Sequence, residues 1–415
     1  MVHCKGVMLS APEMIRDTAP DARLAARLPR WRNVPLYRDA LRSGDFSRLP
    51  IIGKNELRHN FPANFLPPGQ NLDTLLQYQE VEIEHSSGTS EDRTAVLFRR
   101  GWWDEQEARL LRLNPFVAGV LDEHPDARRV TLVPPVCNGL VCFSNWNSLA
   151  ARTVGRTLYV NQARIPFLLS EDELARMARE TAGWEPQFLD VDPVQGAWFA
   201  LYCERRGLRF PSVKFIVCSY EFVSVVHRRI LERVFGVPVF NLYGSTETGH
   251  LFMENERGEM LDCPEAVYYE VIGKDERGIG ELVVTTLTND IMPLLRYRLG
   301  DLVEGAEGPD GTEHRVHGRG RDALRGRDGR RVTTWEVDQC FTGIGGLAHY
   351  QVRQTGDEQF AGQFIPDGIG PSAAELTRLR ERLAELLPPP AELRLEPVDL
   401  LPPTPSGKFR LTCRG

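Results

Sequence analysis

Five short segments, in fixed order along the chain, hold residue types that could bind a polyphosphate, a hard cation and a carboxylate. They are Ser86-Ser87-Gly88-Thr89-Ser90, Tyr243-Gly244-Ser245-Thr246-Glu247, Tyr297-Arg298-Leu299-Gly300-Asp301, Gly318-Arg319 and Pro405-Ser406-Gly407-Lys408. The first follows the alternating stretch Val81-Glu82-Ile83-Glu84, which reads as a strand leading into a hydroxyl-rich loop. Glycine lets the backbone approach an anion, and hydroxyls and amide N–H groups donate to phosphate oxygens. No lysine follows the run; Glu91, Asp92 and Arg93 come next, so it is not the G-x-x-x-x-G-K-[ST] phosphate loop. An ordinary polar turn has the same composition, and the weight comes from the segments that follow.

Residues 237–242 read as a short buried strand that runs straight into Tyr243, Gly244, Ser245, Thr246 and Glu247. Ligands of α/β proteins collect at the carboxyl ends of such strands. There Thr246 can donate to a phosphate, and Glu247 can hold Mg²⁺, which prefers oxygen ligands. Asp301 follows another strand and can accept both hydroxyls of a ribose; Arg319 can reach the same sugar or a phosphate through its planar fork. Lysine occurs at five positions only, Lys5, Lys54, Lys214, Lys274 and Lys408. In a chain so sparing of lysine, Lys408 stands in a Pro-Ser-Gly-Lys turn near the C-terminus, where a compact ammonium can meet charge developing at a phosphate. Together the segments read as a site that activates a carboxylic acid with ATP.

On these residues the chain resembles the adenylate-forming enzymes, the superfamily of acyl-CoA synthetases, nonribosomal-peptide adenylation domains and luciferases. It is most similar to their phenylacetate-CoA ligase branch, whose N-terminal tract is matched by Pro35-Leu36-Tyr37-Arg38 and Leu49-Pro50-Ile51-Ile52-Gly53-Lys54. The resemblance implies a two-step reaction: a carboxylate attacks the α-phosphate of Mg·ATP to give an acyl-adenylate and pyrophosphate, and a thiol then displaces AMP. It assigns Ser86, Ser87, Gly88, Thr89 and Ser90 to the β- and γ-phosphates, and Thr246 and Glu247 to the α-phosphate and Mg²⁺. Asp301 falls to the ribose, with Arg319 beside it, and Lys408 to the adenylation transition state. Ser219-Tyr220-Glu221, after the apolar run Phe215-Ile216-Val217-Cys218, takes the place of the loop lining adenine and the acyl pocket, with Tyr243, Gly244 and Ser245 on the nucleotide. The implied fold is α/β, a large N-terminal domain of mixed sheets flanked by helices (1–318) and a small mobile α+β C-terminal domain carrying the lysine (319–415).

The chain departs from the family pattern in three places. The phosphate loop ends Thr-Ser-Glu-Asp-Arg where relatives carry a second glycine and often a basic residue. Arg321 stands about where relatives place an acidic hinge residue. The tract from Pro134 to Phe143 keeps only Gly-Leu of a Gly-rich pattern beside the aryl pocket, so phenylacetate is not the expected acid. Candidate acid-pocket residues are Cys137, Asn138, Val141, Phe143, Tyr220 and Ser245. They offer no charge for an α-amino group, which favours an aryl or other simple acid over an amino acid. CoA is the expected acceptor; a carrier-protein phosphopantetheine thiol or an amine is the alternative, and a non-catalytic adenylate binder is the second class. An acyl carrier protein and a homodimer stay open as partners.

The elements that must position these groups are legible at the coarse level. At 415 residues, 42% hydrophobic and 26% charged, the chain suits a large domain plus a small one. A net charge of -7 gives no basic face for nucleic acid. The Arg cluster from Arg319 to Arg331 reads as a solvated hinge that could also meet CoA phosphates. No apolar run is long enough to span a bilayer, and a cytoplasmic enzyme is the expectation. The eight cysteines are scattered and read as reduced; His250 and Cys263 have too few partners for zinc. Before about residue 80, helices and loops pack on the main body through Trp31, Tyr37 and Phe46. Between 81 and 316, apolar runs alternate with helical patterns at 171–181 and 226–235. Residues 305–311 read as a hairpin tip, 318–331 as the domain boundary, 373–387 as an amphipathic helix and 393–398 as a strand.

Overall fold

The computed structural model describes residues 22–43, 46, 49–86, 93–133, 148–308, 311–326, 329–387 and 392–415. Helices α1 (Ala22–Trp31), α2 (Lys54–Arg58) and α3 (Leu72–Gln77) lie in the N-terminal part. Trp31, Tyr37 and Phe46 are buried there as expected. Strands β1 (Val81–His85) and β2 (Ala95–Arg99) pair as an antiparallel hairpin, followed by α4 (Trp102–Leu111) and α5 (Pro115–Glu123).

The scaffold of the site is a twelve-stranded sheet in two halves. In the first half, β5 (Thr157–Tyr159), β3 (Arg129–Leu132), β6 (Phe188–Val191), β7 (Phe215–Cys218) and β8 (Val239–Ser245) are parallel neighbours, with β4 (Thr153–Val154) antiparallel at the edge. Parallel strands need covering on both faces, and β6 and β7 are accordingly buried along their whole length. The helices around them start where the sequence supplies caps. Ser170 caps α6 (Glu171–Trp184), Asp192 caps α7 (Pro193–Arg205), and Ser224 caps α8 (Val225–Phe235), each accepting from backbone N–H groups of the first turn. Helix α6 buries Leu174, Met177, Ala178 and Thr181, the three-and-four spacing of one helical face.

Among the described residues the second half contains no helix between its strands, unlike the alternation read across 81–316. From β8 the chain turns back through β9 (Gly249–Glu254) and β10 (Met260–Asp262), then β11 (Val267–Ile272), β12 (Ile279–Thr286), β13 (Tyr297–Gly308) and β14 (Gly311–Arg319), all antiparallel. The apolar runs were visible, but hairpin pairing, which needs no crossover helix, decides their order. Residues 305–311 are mostly strand: β13 runs to Gly308 and β14 resumes at Gly311.

After β15 (Leu324–Arg325) and β16 (Arg331–Val332), helix α9 (Thr334–Gln339) leads into a separate four-stranded sheet. Its order is β19 (Glu392–Pro397), β18 (Gln359–Pro366), β17 (Leu347–Gln354), β20 (Thr412–Arg414), and α10 (Ala373–Leu386) joins β18 to β19. This sheet is packed on the main body through one continuous apolar core. Val130, Leu189, Val191 and Ile216 of the parallel strands share that core with Ile230 and Leu231 of α8 and with Leu347, Tyr350, Val352, Phe364, Leu379 and Leu383 of the C-terminal part.

Two buried polar contacts fix the seam. Asp338 of α9 accepts from Val225 N at the start of α8 (3.0 Å) and from Tyr350 Oη of β17 (2.6 Å). His227 Nε2 of α8 meets His349 Nδ1 of β17 at 3.1 Å, with the rings stacked 5.3 Å apart. Burial pushes the His227 imidazole down to about 3 and His349 well below its usual value, so both stay neutral in the folded chain. The unfolded chain takes up those protons below about pH 6.5, so stability is complete above that value and falls with acidification, by up to about 2 kcal/mol per imidazole at pH 5. His227→Leu is therefore expected to flatten the decline in urea-unfolding free energy between pH 7 and pH 5; an unchanged slope would show that the pair does not act this way.

Candidate active site

Four of the named segments, those holding Glu247, Asp301, Arg319 and Lys408, come together beside the carboxyl ends of β7 and β8. Strand β8 extends further than expected, to Ser245, because β9 folds back and pairs with it as far as Ser245↔Gly249. Gly244 is required in this tight return: a Cβ there would meet Gly249 O at 2.3 Å and His250 Cα at 2.6 Å. Ser245 Oγ bonds Thr248 Oγ1 (3.0 Å) and accepts from Thr248 N (3.2 Å), closing the turn that presents Thr246 and Glu247.

Glu247 is buried and pairs with Lys54 Nζ at 3.1 Å; Tyr297 Oη also donates to it at 3.4 Å. Burial alone would raise the Glu247 carboxyl, but Lys54, helped by a backbone N–H and Ser245, holds it below its ordinary value. Lys54 arrives from far along the chain because Ile52 forms a parallel bridge with Tyr297 at the start of β13, with Ile52 N donating to Arg296 O (3.0 Å) and Arg298 N to Ile52 O (2.9 Å). Both stand in segments named from sequence, Lys54 in the N-terminal tract and Tyr297 in the segment ending at Asp301, but neither was given a role at the site. The available signal was a Gly-Lys ending an apolar run in a lysine-poor chain.

A second cluster forms on the β13–β14 hairpin. Asp301 and Arg319 are paired by strand register, and their side chains meet at 3.0 Å through Arg319 Nε and Asp301 Oδ1. Tyr243 Oη donates to Asp301 Oδ2 at 2.7 Å, and its ring stacks on Phe252. Gly300 and Gly318 both have positive φ, +83° and +91°, which frees the strand ends to turn these groups inward.

Lys408 comes in from the C-terminal sheet on a closed turn. Gly407 N donates to Thr404 O (2.8 Å), Thr404 N to Lys408 O (2.7 Å), and Gly407 has φ +90°, so Pro-Ser-Gly supplies the geometry. Lys408 Nζ donates to Tyr220 O at 2.9 Å, and the next residue, Phe409, donates its N–H to Glu221 Oε1 at 2.8 Å. Phe409 packs edge-on against Phe167 and His349. Burial and the nearby Arg319 lower the Lys408 pKa, while Glu221, Asp301 and Glu247 pull it back up. Burial and Asp192 in turn raise Glu221 well above its usual value, and Lys408 opposes that rise.

Of the remaining candidates, Ser219 and Tyr220 both reach Asp190, at 3.0 and 3.2 Å. Ser86 Oγ accepts from Thr94 N at 2.9 Å where β1 and β2 begin to pair. Ser87, Gly88, Thr89 and Ser90, with Cys137, Asn138, Val141 and Phe143, lie outside the described residues. A cavity of about 340 Å³, lined in part by Phe222, Asn241, Glu254, Glu304 and Trp335, has none of the candidate site residues in its lining. Among the described residues no group of three or more His, Cys, Asp and Glu side chains could hold a metal, and no helix is long and apolar enough to cross a membrane.

No family model matches the chain. The phenylacetate-coenzyme A ligase of Pseudomonas putida is 25% identical over 323 residues, 71% of this chain and 68% of that protein. The one from Escherichia coli (strain K12) is 26% identical over 325 residues, with the same shares. This chain is a relative of the phenylacetate-CoA ligases. The fold is shared with 2-hydroxyisobutyryl-CoA ligase, which in the postadenylation state superposes with a TM-score of 0.66 at 19% identity, over 91% of this chain and 84% of that one. The same ligase in the thioesterification state gives 0.54 at 18% identity, over 95% and 88%.

The Lys54–Glu247 pair is open to a direct test. Removing Lys54 leaves a buried carboxylate without its cation, a loss of about 1–3 kcal/mol given that the ammonium is partly exposed. Lys54→Met is expected to lower unfolding free energy by that amount at pH 7.5 and by less at pH 5, where Glu247 can take a proton. A deficit independent of pH would mean that Lys54 acts through packing alone.

Proposed function

We propose that this relative of the phenylacetate-CoA ligases is an AMP-forming acid–thiol ligase. It joins a carboxylic acid to the α-phosphate of ATP, releases pyrophosphate, and passes the acyl group from the acyl-adenylate to CoA. The observation that carries this reading is the seat of Lys408: an ammonium delivered by a separate C-terminal sheet to the strand ends, between Glu247 and the Tyr243–Asp301–Arg319 cluster.

In the adenylation step a carboxylate oxygen bonds to the α-phosphorus as the bond to pyrophosphate breaks. Lys408 meets the negative charge shared between the entering and leaving oxygens. Asp301, held by Tyr243 and Arg319, accepts the ribose hydroxyls. Thr246 donates to the α-phosphate, and the Ser86–Ser90 run cradles the β- and γ-phosphates. Tyr243, Gly244 and Ser245 face Ser219, Tyr220 and Glu221 across the adenine. Mg²⁺ fits Glu247, because this ion commonly binds through one or two protein carboxylates plus substrate phosphates and water. Bound with the triphosphate, Mg²⁺ neutralises phosphate charge. Glu247, kept ionised by Lys54, is ready to hold it.

The chain divides at residue 318 into a large nucleotide-binding domain and a small domain that moves between the two steps. The higher superposition score with the postadenylation state than with the thioesterification state supports reading the present arrangement as the one that activates the acid.

Pyrophosphate release from Mg·ATP, measured across aryl, hydroxyaryl, aminoaryl and aliphatic acids with and without CoA, tests the reading. Sustained release that requires CoA and one class of acid is expected. One equivalent of pyrophosphate irrespective of CoA would move the acceptor to a carrier-protein thiol or an amine, and silence across the panel would overturn the ligase reading.

A further inference from the structure

We propose that the acid taken by this site bears a hydrogen-bond donor, a hydroxyl or an amino group, on its tail, and that the buried carboxylate of Asp190 is what recognises it. The inference rests on the ligase reading above and adds the substrate class.

Asp190 is the third residue of β6. Strand register sets it beside Thr131 of β3 and Val217 of β7, on the face opposite Leu189 and Val191, which enter the apolar core. A carboxylate in a fully buried parallel strand is rare unless paired, and Asp190 is 6% exposed. Ser219 Oγ donates to Oδ1 at 3.0 Å and Tyr220 Oη to Oδ2 at 3.2 Å, which leaves lone pairs on both oxygens. Beside it in the register, Thr131 Oγ1 is buried with no hydrogen-bond partner among the described residues. Buried hydroxyls are normally paired, so this orphan marks a place where a further polar group is missing.

The charge balance points the same way. Arg129, on the same face of β3, is engaged by Glu107 of α4 at 2.5 Å through Nη1 and by Thr157 Oγ1 at 2.8 Å through Nε. Its charge is therefore already matched, and the group of Arg129, Glu107 and Asp190 keeps one net negative charge. Burial pushes Asp190 up to about 6, with Arg129 opposing and Glu107 adding to the rise, so it is mostly ionised at neutral pH. A net-negative, acceptor-rich cluster welcomes N–H or O–H groups and penalises hydrocarbon packed against it.

One residue links this cluster to Lys408. Tyr220 bonds Asp190 through its hydroxyl and Lys408 through its carbonyl, and it holds a left-handed backbone, φ +73°, that a tyrosine adopts only under constraint. An acid with its carboxylate near Lys408 and its tail along the Tyr220 ring would bring a distal substituent to Asp190 and Thr131.

The test is ATP–pyrophosphate exchange with matched acids, aryl and aliphatic, that differ only in carrying –OH, –NH₂ or –CH₃ at one position. The wild type is expected to favour the donor-bearing acids over the methyl isosteres in kcat/KM by on the order of 10²-fold or more, since a site built for a donor strongly rejects its absence. The –OH and –NH₂ arms then show which donor is native. Asp190→Asn, and separately Thr131→Val, should shrink that ratio at least tenfold. Equal use of methyl acids by the wild type would overturn the proposal while leaving the ligase reading intact. So would a uniform loss on all acids in both variants, which would make Asp190 a positioning residue for Tyr220. Absence of exchange with every acid would instead remove the ligase reading itself. The wild-type preference decides the matter even if a variant does not fold.

Discussion

The burial of the C-terminal sheet against α7 and α8 is the constraint on which the rest of the site depends. Lys408 follows Glu247 by more than 150 residues, and nothing local holds it near the strand ends. What brings it there is an apolar core shared between β17, β18, α10 and the main body, closed by the Asp338–Val225–Tyr350 and His227–His349 contacts. Apolar burial is non-directional and sets proximity; the buried polar contacts set register. The final placement is made by hydrogen bonds from Lys408 Nζ to Tyr220 O, from Phe409 N to Glu221 and from Arg164 to Pro405 O.

Within the site, the same economy of charge recurs. Each buried carboxylate has a dedicated partner set: Glu247 has Lys54 and Tyr297, Asp301 has Arg319 and Tyr243, and Asp190 has Ser219 and Tyr220. Where the partner is a cation close by, as for Glu247, the carboxyl is held below its ordinary value; where the partners are hydroxyls, as for Asp190, burial wins and the carboxyl rises. The first condition suits a group that must stay ionised. The second suits one that waits for a donor.

How much of this could be read from the chain follows from what kind of force positions each residue. The helices at 171–181, 226–235 and 373–387 were legible within a few residues, because caps and three-and-four spacing are local. Phe215–Cys218 was legible as a buried strand for the same reason. Motif order also sufficed to predict that Glu247, Asp301, Arg319 and Lys408 would share one site, and the structure brings them together. Lys54 was missed because its position depends on a long-range bridge from Ile52 to the β13 edge. Asp190 was missed because a single Asp in Phe-Leu-Asp-Val-Asp-Pro looks like any interruption of an apolar run; only register reveals its face. The antiparallel half of the sheet was read as alternating with helices because apolar runs do not disclose how they connect.

The central claim is that the present arrangement, with Lys408 at the strand ends, serves acid activation and not the later transfer. Rapid-quench measurement of the two half-reactions in Lys408→Ala tests it most directly: acyl-adenylate formation from acid and Mg·ATP, and CoA thioester formation from supplied acyl-adenylate. The account predicts that the first falls by about 10²–10³-fold while the second proceeds at the wild-type rate. An unimpaired first half-reaction, or equal loss in both, would contradict it.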